Sequence, residues 1–226
     1  MNSRQLTGRE TGHVTRHPEL GCFLHHESVG ALEAMRSAAA EAGIDLAPAS
    51  AFRDFERQRT IWNEKFEGLR PMEDAEGRLV DPLPAAAAAR VELILTWTAL
   101  PGSSRHHWGS DFDLIDRAAI PPGYRPRLHP GEYAEGGVFG RLSAWLESHA
   151  WQHGFFRPYR SGLGGVRPEP WHYSYAPVSV PALSALTADL LAEALEGSGL
   201  LGLEEVLLRL PDIHRHWVAT IDPPPG

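Results

Sequence analysis

Two short stretches, far apart in the chain, hold chemistry that works only if folding brings them together. One is Ser104-Arg105-His106-His107-Trp108-Gly109-Ser110-Asp111-Phe112-Asp113, the other Glu169-Pro170-Trp171-His172. Between them they supply two imidazoles and a carboxylate able to close around one divalent cation. Glu169, three residues before His172, adds a further carboxylate beside the site. Three protein ligands, an open fourth position and a neighbouring base are the minimal parts of a zinc hydrolase. Whatever fold this chain adopts must return the second stretch to the first.

The spacing supports convergence. His106 and Asp113 are separated by a glycine-containing turn leading into a strand, and Gly109 permits a close backbone approach. Pro170 restrains the backbone before an aromatic-rich strand, in which period-two alternation puts Trp171 and His172 on opposite faces. A histidine near an aspartate is more often an ordinary polar pair, so the first stretch alone would be weak evidence. His107 competes with His106 as ligand, and the favoured reading of His107 is a backbone hydrogen-bonding role. His153 is a candidate for support behind a ligand, whereas His214 and His216 flank Trp217 and offer at most incidental metal binding. Glu169 reads either as a turn residue paired with Arg167 or as a general base that deprotonates water and passes the proton to a leaving amine.

A chain of 226 residues buries one good-sized core, and one domain is the default. Its 21 basic and 29 acidic residues leave a net charge of −8. That balance argues against nucleic acid or an anionic membrane surface as partner. It leaves room for a small anionic substrate held by one arginine. Cys22 is the only cysteine, which excludes an intrachain disulfide and a cysteine-rich metal site. The first 21 residues contain no apolar export segment, and no run is long enough to span a bilayer. The expectation is a cytoplasmic protein, or a periplasmic one if a leader is missing from this sequence.

Helical spacing of Leu32, Met35, Ala39 and Ala42 predicts a helix over 28–43, ended at Gly43. Leu46 to Arg53 reads as a strand. Asp54 is the expected N-cap of a helix to about Phe66, with Phe55, Thr60, Ile61 and Trp62 facing inward. Residues 68–84 read as a surface loop, 85–100 as a helix, 111–115 as a short strand and 121–137 as a loop at a cleft rim. An amphipathic helix is expected over 138–149, and strands over 154–156 and 171–175, separated by the glycine-rich turn 161–165. Helices over 180–195 and 200–210 precede a Pro-rich surface tail. Helices at the ends and short central strands indicate an α+β fold rather than a doubly wound parallel sheet.

The set Ser104-x-His106-x-x-Gly109-x-Asp111-x-Asp113 followed by Glu169-Pro170-Trp171-His172 resembles the zinc D-alanyl-D-alanine carboxypeptidases of the VanY type. Their wider group also includes D-Ala-D-Ala dipeptidases, phage endolysin peptidases and hedgehog domains. Ser50-Ala51-Phe52-Arg53-Asp54-Phe55-Glu56-Arg57-Gln58 is similar to a third family stretch, Ser-Gly-Tyr-Arg-Ser-x-x-x-Gln, and the three segments occur in the family's order. The resemblance spans about 28–175. It implies a single α+β domain with a small central antiparallel sheet and flanking helices, of the hedgehog/DD-peptidase kind. It implies one Zn2+ per chain on His106, Asp113 and His172, with Glu169 as catalytic base. Arg53 would pair with the substrate's C-terminal carboxylate, which suits a guanidinium; an ordinary alternative is a helix-start arginine paired with Glu56. Gln58 and Ser104 would contact substrate or support the site's loops.

Two departures stand out. Asp111 replaces the family's usual alanine and shares a strand face with Asp113. It would add negative charge near the metal, support a ligand from behind, or compete as a ligand. Phe52 replaces the usual tyrosine and keeps the ring. The expected division is an N-terminal extension (1–27), a zinc peptidase domain (28–178) and a C-terminal helical extension packed on it (179–226). The expected function is zinc-dependent removal of a C-terminal D-alanine from a peptidoglycan-derived peptide. The alternatives are an endopeptidase or D-Ala-D-Ala dipeptidase of the same fold, or a non-enzymatic zinc-binding interaction domain.

Overall fold

The chain begins, in the computed structural model, with a short helix α1 (Ser3–Leu6) and a hairpin of β1 (Val14–Arg16) and β2 (Phe23–His25). Residues 1–225 are described. Helix α2 (Val29–Glu41) follows, burying Leu32, Met35 and Ala39 along one stripe. β3 (Leu46–Ser50) then leads to α3 (Phe55–Phe66), whose N-cap Asp54 accepts the backbone N–H of Arg57. The inward stripe on α3 is Phe55, Gln58 and Trp62, so Phe55 and Trp62 face inward as expected and Gln58 joins them. Thr60 is exposed, and Ile61 is half-buried. Positions 55, 58 and 62 follow the helical repeat, so a polar side chain at 58 is carried into the interior.

The expected loop over 68–84 contains a small hairpin, β4 (Met72–Glu73) with β5 (Leu79–Val80). Its turn is closed by the Asp74 carboxylate, which accepts the backbone N–H groups of Glu76 and Arg78. Helix α4 (Ala87–Leu95) is shorter than the pattern predicts. Beyond it the chain unwinds toward Leu100, so that Thr98 and Ala99 reach the cleft described below.

β6 (Asp111–Asp116) is buried throughout. It lies at the centre of a four-stranded antiparallel sheet of order β3-β6-β8-β7, completed by β7 (Phe155–Phe156) and β8 (His172–Tyr175). Phe112 and Leu114 enter a core with Leu32, Met35, Leu142 and Leu146, the last two from α6 (Gly140–His149). By alternation Asp111 and Asp113 point to the other face. The register pairs Asp111 with Ser174 and Asp113 with His172, while Ser50 lies opposite Asp113 on the other side. Between β6 and α6 the rim segment forms one turn of helix, α5 (Pro130–Tyr133).

A second core joins Phe55, Trp62 and Trp108 to the C-terminal helices α7 (Ala176–Ala185), α8 (Ala188–Leu195), α9 (Leu203–Leu208) and α10 (Leu210–Ile213). Leu6 of the N-terminal segment belongs to the same core. Residues 180–195, expected as one helix, are two helices bent by 81°. Leu186 is buried in an extended conformation and Thr187 caps α8 by accepting the N–H of Leu190, which stops one helix and starts the next. No single helix among the described residues is long and apolar enough to cross a membrane. Near the end, Asp222 accepts the backbone N–H groups of Arg160 and Ser161 and anchors the Pro-rich tail there.

Candidate metal centre and substrate cleft

The motif around His106 is held by backbone contacts to two other segments. A 3-10 turn over Arg105–Trp108 ends at Gly109, whose φ is +66°. A Cβ at this position would lie 2.6 Å from Val14 and 2.8 Å from the His25 backbone nitrogen, so glycine is required on both counts. The His25 N–H donates to the Gly109 carbonyl, and the Arg53 N–H donates to the His106 carbonyl. Strand β6 then starts two residues later and carries Asp113 toward β8.

Here His106, Asp113 and His172 converge, each buried, with one ligand atom from each within 4.8 Å of the others. His106 Nε2 lies 3.3 Å from Asp113 Oδ2, and His172 Nδ1 lies 3.3 Å from Asp113 Oδ1. Zinc bonded tetrahedrally at about 2.0–2.1 Å separates its ligand atoms by about 3.3–3.4 Å. Each imidazole nitrogen thus stands at that separation from one of the two Asp113 oxygens. Asp113 Oδ1 is a buried oxygen without a hydrogen-bond partner, which is costly unless a cation satisfies it. The donor set of two nitrogens and one oxygen is one zinc accepts, with a fourth position left open.

Each imidazole is oriented from behind. His106 Nδ1 sits 2.9 Å from the Ala51 carbonyl, which accepts its N–H and leaves Nε2 free as a donor to metal. For His172 the roles of the nitrogens are reversed: Nε2 contacts Asp111 Oδ1 at 3.1 Å and Nδ1 faces the centre. Burial pushes the His172 imidazolium down, yet the surrounding carboxylates of Asp111, Asp113 and Glu169 raise it well above the usual histidine range. Burial likewise pushes the Asp113 carboxyl up, and His106 and His172 together bring it far below the usual carboxylate value. Three carboxylates, Asp111, Asp113 and Glu169, thus surround the His172 ring.

Glu169 stands beside this centre, with Oε2 3.4 Å from His172 Nδ1. Its backbone N–H donates to the Tyr159 carbonyl and its own carbonyl accepts the N–H of His172, which fixes the Glu169-to-His172 turn. Arg53 lines the same cleft. Nη1 donates to Gln58 Oε1 at 2.7 Å and Nη2 to Ser50 Oγ at 3.0 Å. Gln58 is fully buried and passes the restraint on, its Nε2 donating to the Ala99 carbonyl at 2.7 Å. Gln58 thus stands behind Arg53 as a brace, while Ser104 is buried on the cleft wall with its carbonyl accepting the His107 N–H.

His107 is turned away from the centre. Its Nδ1 contacts the Arg53 carbonyl at 2.6 Å and its Nε2 accepts the Gly102 N–H at 3.0 Å, so both nitrogens are engaged. Burial pushes its pKa down to about 3, and it is neutral. His153, read as possible support for a ligand, lies in the turn before β7, outside the residues lining the cleft.

Several site residues carry no signature in the sequence. Arg105 lies next to His106 in the motif, yet its guanidinium is buried against Asp111 at 2.7 Å. Lys65 lines the cleft with Nζ donating to Thr98 Oγ1 at 2.6 Å, and burial lowers its pKa to about 8. Tyr159 sets its ring edge-on to His172, with centroids 5.2 Å apart. A buried charged pair within one motif is the only one of these that sequence spacing could have flagged. The cleft has a volume of about 320 Å³, at the lower end of small-ligand sites.

Residues 21–178 match the family model described as VanY, D-alanyl-D-alanine carboxypeptidase. An uncharacterized protein of Haemophilus influenzae is 31% identical over 125 residues, covering 54% of this chain and 95% of that one. Among solved structures, VanYB in complex with D-alanine-D-alanine superposes with a TM-score of 0.52 at 24% identity, covering 85% of this chain and 87% of that one. A vancomycin-resistance D,D-pentapeptidase VanY variant in complex with Zn(II) gives 0.51 at 23% identity, covering 87% and 92%. At these identities the likeness to the solved structures establishes the fold, a small antiparallel sheet with flanking helices.

Proposed function

The chain belongs to the D-alanyl-D-alanine carboxypeptidase (VanY) family, and on that premise we propose that it is a zinc-dependent carboxypeptidase that removes a C-terminal D-alanine from peptidoglycan-type peptides. The observation that carries the reading is the convergence of His106, Asp113 and His172, one ligand atom of each within 4.8 Å of the others, with Glu169 beside them and Arg53 on the same cleft. The solved neighbours bound to D-alanine-D-alanine and to Zn(II) support the same substrate class and ion.

When bound, zinc lowers the pKa of a water to about 7 and polarises the scissile carbonyl. Glu169 accepts the proton from the attacking water and delivers it to the nitrogen of the departing D-alanine. Its carboxylate is largely buried, at 12% side-chain exposure, which keeps the proton from exchanging freely with solvent. Arg53 holds the terminal carboxylate, and its bracing by Gln58 and Ser50 fixes how far the peptide enters. A free carboxylate is what such an anchor recognises, which favours an exopeptidase over an endopeptidase.

The test is Glu169→Ala with metal analysis and product mass spectrometry on acyl-D-Ala-D-Ala, D-Ala-D-Ala and L-Lys-D-Ala peptides. The variant should retain zinc and lose hydrolysis by several orders of magnitude. Zinc-loaded wild-type protein that cleaves none of these peptides would overturn the enzymatic reading and favour a zinc-binding interaction domain.

A further inference from the structure

The β6–β8 register does more than bring Asp113 to His172. It places Asp111, Asp113, His172 and Ser174 on one face of two paired strands, since each pair lies two residues apart. Asp111 therefore meets the rear nitrogen of His172, at 3.1 Å, while Asp113 meets the front. We propose that Arg105 and Asp111 form a buried positioning unit that fixes the ring and tautomer of His172 and strengthens it as a zinc ligand. The proposal rests on the zinc reading above.

An imidazole ligates metal through its unprotonated nitrogen, and the hydrogen bond at the other nitrogen decides which one that is. At His106 a neutral backbone carbonyl does this. At His172 a full carboxylate does it, which pulls harder on the N–H and makes the opposite nitrogen a better donor. A buried carboxylate persists only if paired. Asp111 has no exposed surface and Arg105 only 3%, and Arg105 Nε donates to Asp111 Oδ1 at 2.7 Å. Ser110 Oγ donates to Asp111 Oδ2 at 2.9 Å, occupying the remaining oxygen.

Arg105 is itself fixed. Its Nη2 donates to Ser174 Oγ at 2.6 Å, Ser174 Oγ donates on to Ser179 Oγ at 2.7 Å, and its guanidinium carbon lies 4.7 Å from the centre of the Trp108 ring. The chain of contacts runs from α7 through Arg105 and Asp111 to His172. An alanine at 111, as in the family pattern, would leave this arginine buried without its partner. The two residues are therefore a matched pair: Arg105 borders the cleft, while Asp111 sits behind His172 and is not among the cleft's lining residues.

Zinc affinity, measured by competition with a chromophoric chelator, tests the unit together with the visible absorption of the cobalt(II)-substituted protein. Asp111→Asn keeps an acceptor but removes the charge; it should weaken zinc binding by about tenfold and shift the cobalt bands. The double variant Arg105→Met, Asp111→Ala removes both buried charges and so avoids stranding either one. It should fold, by circular dichroism and melting, and bind zinc up to about 100-fold more weakly. If either variant folds and binds zinc as tightly as wild type with unchanged cobalt bands, the proposal is overturned. Wild-type protein that fails to bind zinc defeats instead the functional reading on which the unit depends.

Discussion

Arg53 offers the sharpest separation between anchoring substrate and merely shaping the cleft. Its guanidinium has five N–H donors. Two contacts within the protein engage Nη1 and Nη2, to Gln58 and Ser50. Three donors are left, enough to grip a carboxylate with two parallel hydrogen bonds. Burial lowers the Arg53 pKa, and Asp113 and Glu169 oppose that shift, so the group remains a cation facing the cleft. Hydrogen bonds to charged groups contribute about 1.5–3 kcal/mol each. Removing a two-pronged pair by Arg53→Ala should therefore cost at least about 3 kcal/mol in transition-state binding. That is roughly a 150-fold fall in kcat/KM, at about 1.4 kcal/mol per tenfold. The same substitution should change turnover of the matching C-terminal amide by no more than about threefold, because the amide never formed the charged pair. Arg53→Lys, which keeps the charge but loses the fork, should fall between. The assay is kcat/KM on an acyl-D-Ala-D-Ala peptide and its C-terminal amide, with zinc content measured for each variant. Equal loss on acid and amide, with zinc retained, would remove the anchoring role.

Two further outcomes follow from the histidines. His106→Ala should lose zinc while His107→Ala keeps it at wild-type stoichiometry, as metal analysis of the purified variants will show; loss from both would refute the assignment of Nε2 of His106 as the ligand atom. His107 should also make the protein acid-sensitive. Its folded pKa of about 3 lies below the unfolded value of 6.5, so on acidification the unfolded chain takes up the proton first. Its contribution to stability is intact above about pH 6.5 and is lost progressively down to about 3, amounting to about 2 kcal/mol by pH 5. Urea unfolding of wild type and His107→Gln at pH 7 and pH 5 measures the difference, and parallel losses in the two proteins would contradict it.

Where a residue's local chemistry dictates its place, the sequence was informative. Asp54 caps α3 because its carboxylate has an orphan N–H to satisfy, and α2 follows the stripe of Leu32, Met35 and Ala39. Where tertiary contacts decide, it was not. The break at Leu186 and Thr187 depends on Leu186 being drawn into the core around Trp62, and the apolar pattern on either side continues as if nothing intervened. The 72–80 hairpin is only two residues per strand, too short for alternation to register. Gln58 gave no sign of being buried, since its place depends on Arg53 and the Ala99 carbonyl meeting it.

The site divides along the same line. With no cysteine near it, a metal centre here draws on histidine and carboxylate, so the proposed set of His106, Asp113 and His172, with Glu169 beside it, is legible by type and spacing. Their supports are chosen by geometry rather than by type. For His106 the support is a main-chain carbonyl, Ala51, that any residue would supply. For His172 it is Asp111, and which nitrogen it meets depends on the register that puts Asp113 opposite His172 and Asp111 opposite Ser174. A slip of one residue in that pairing would turn the whole face of β8 away from the centre. The three roles that the sequence left open for Asp111 are thus narrowed by strand pairing. An aspartate that faces the rear nitrogen of His172 and has both oxygens engaged by Arg105, Ser110 and His172 is placed as the proposed support for that ring rather than as a competing ligand.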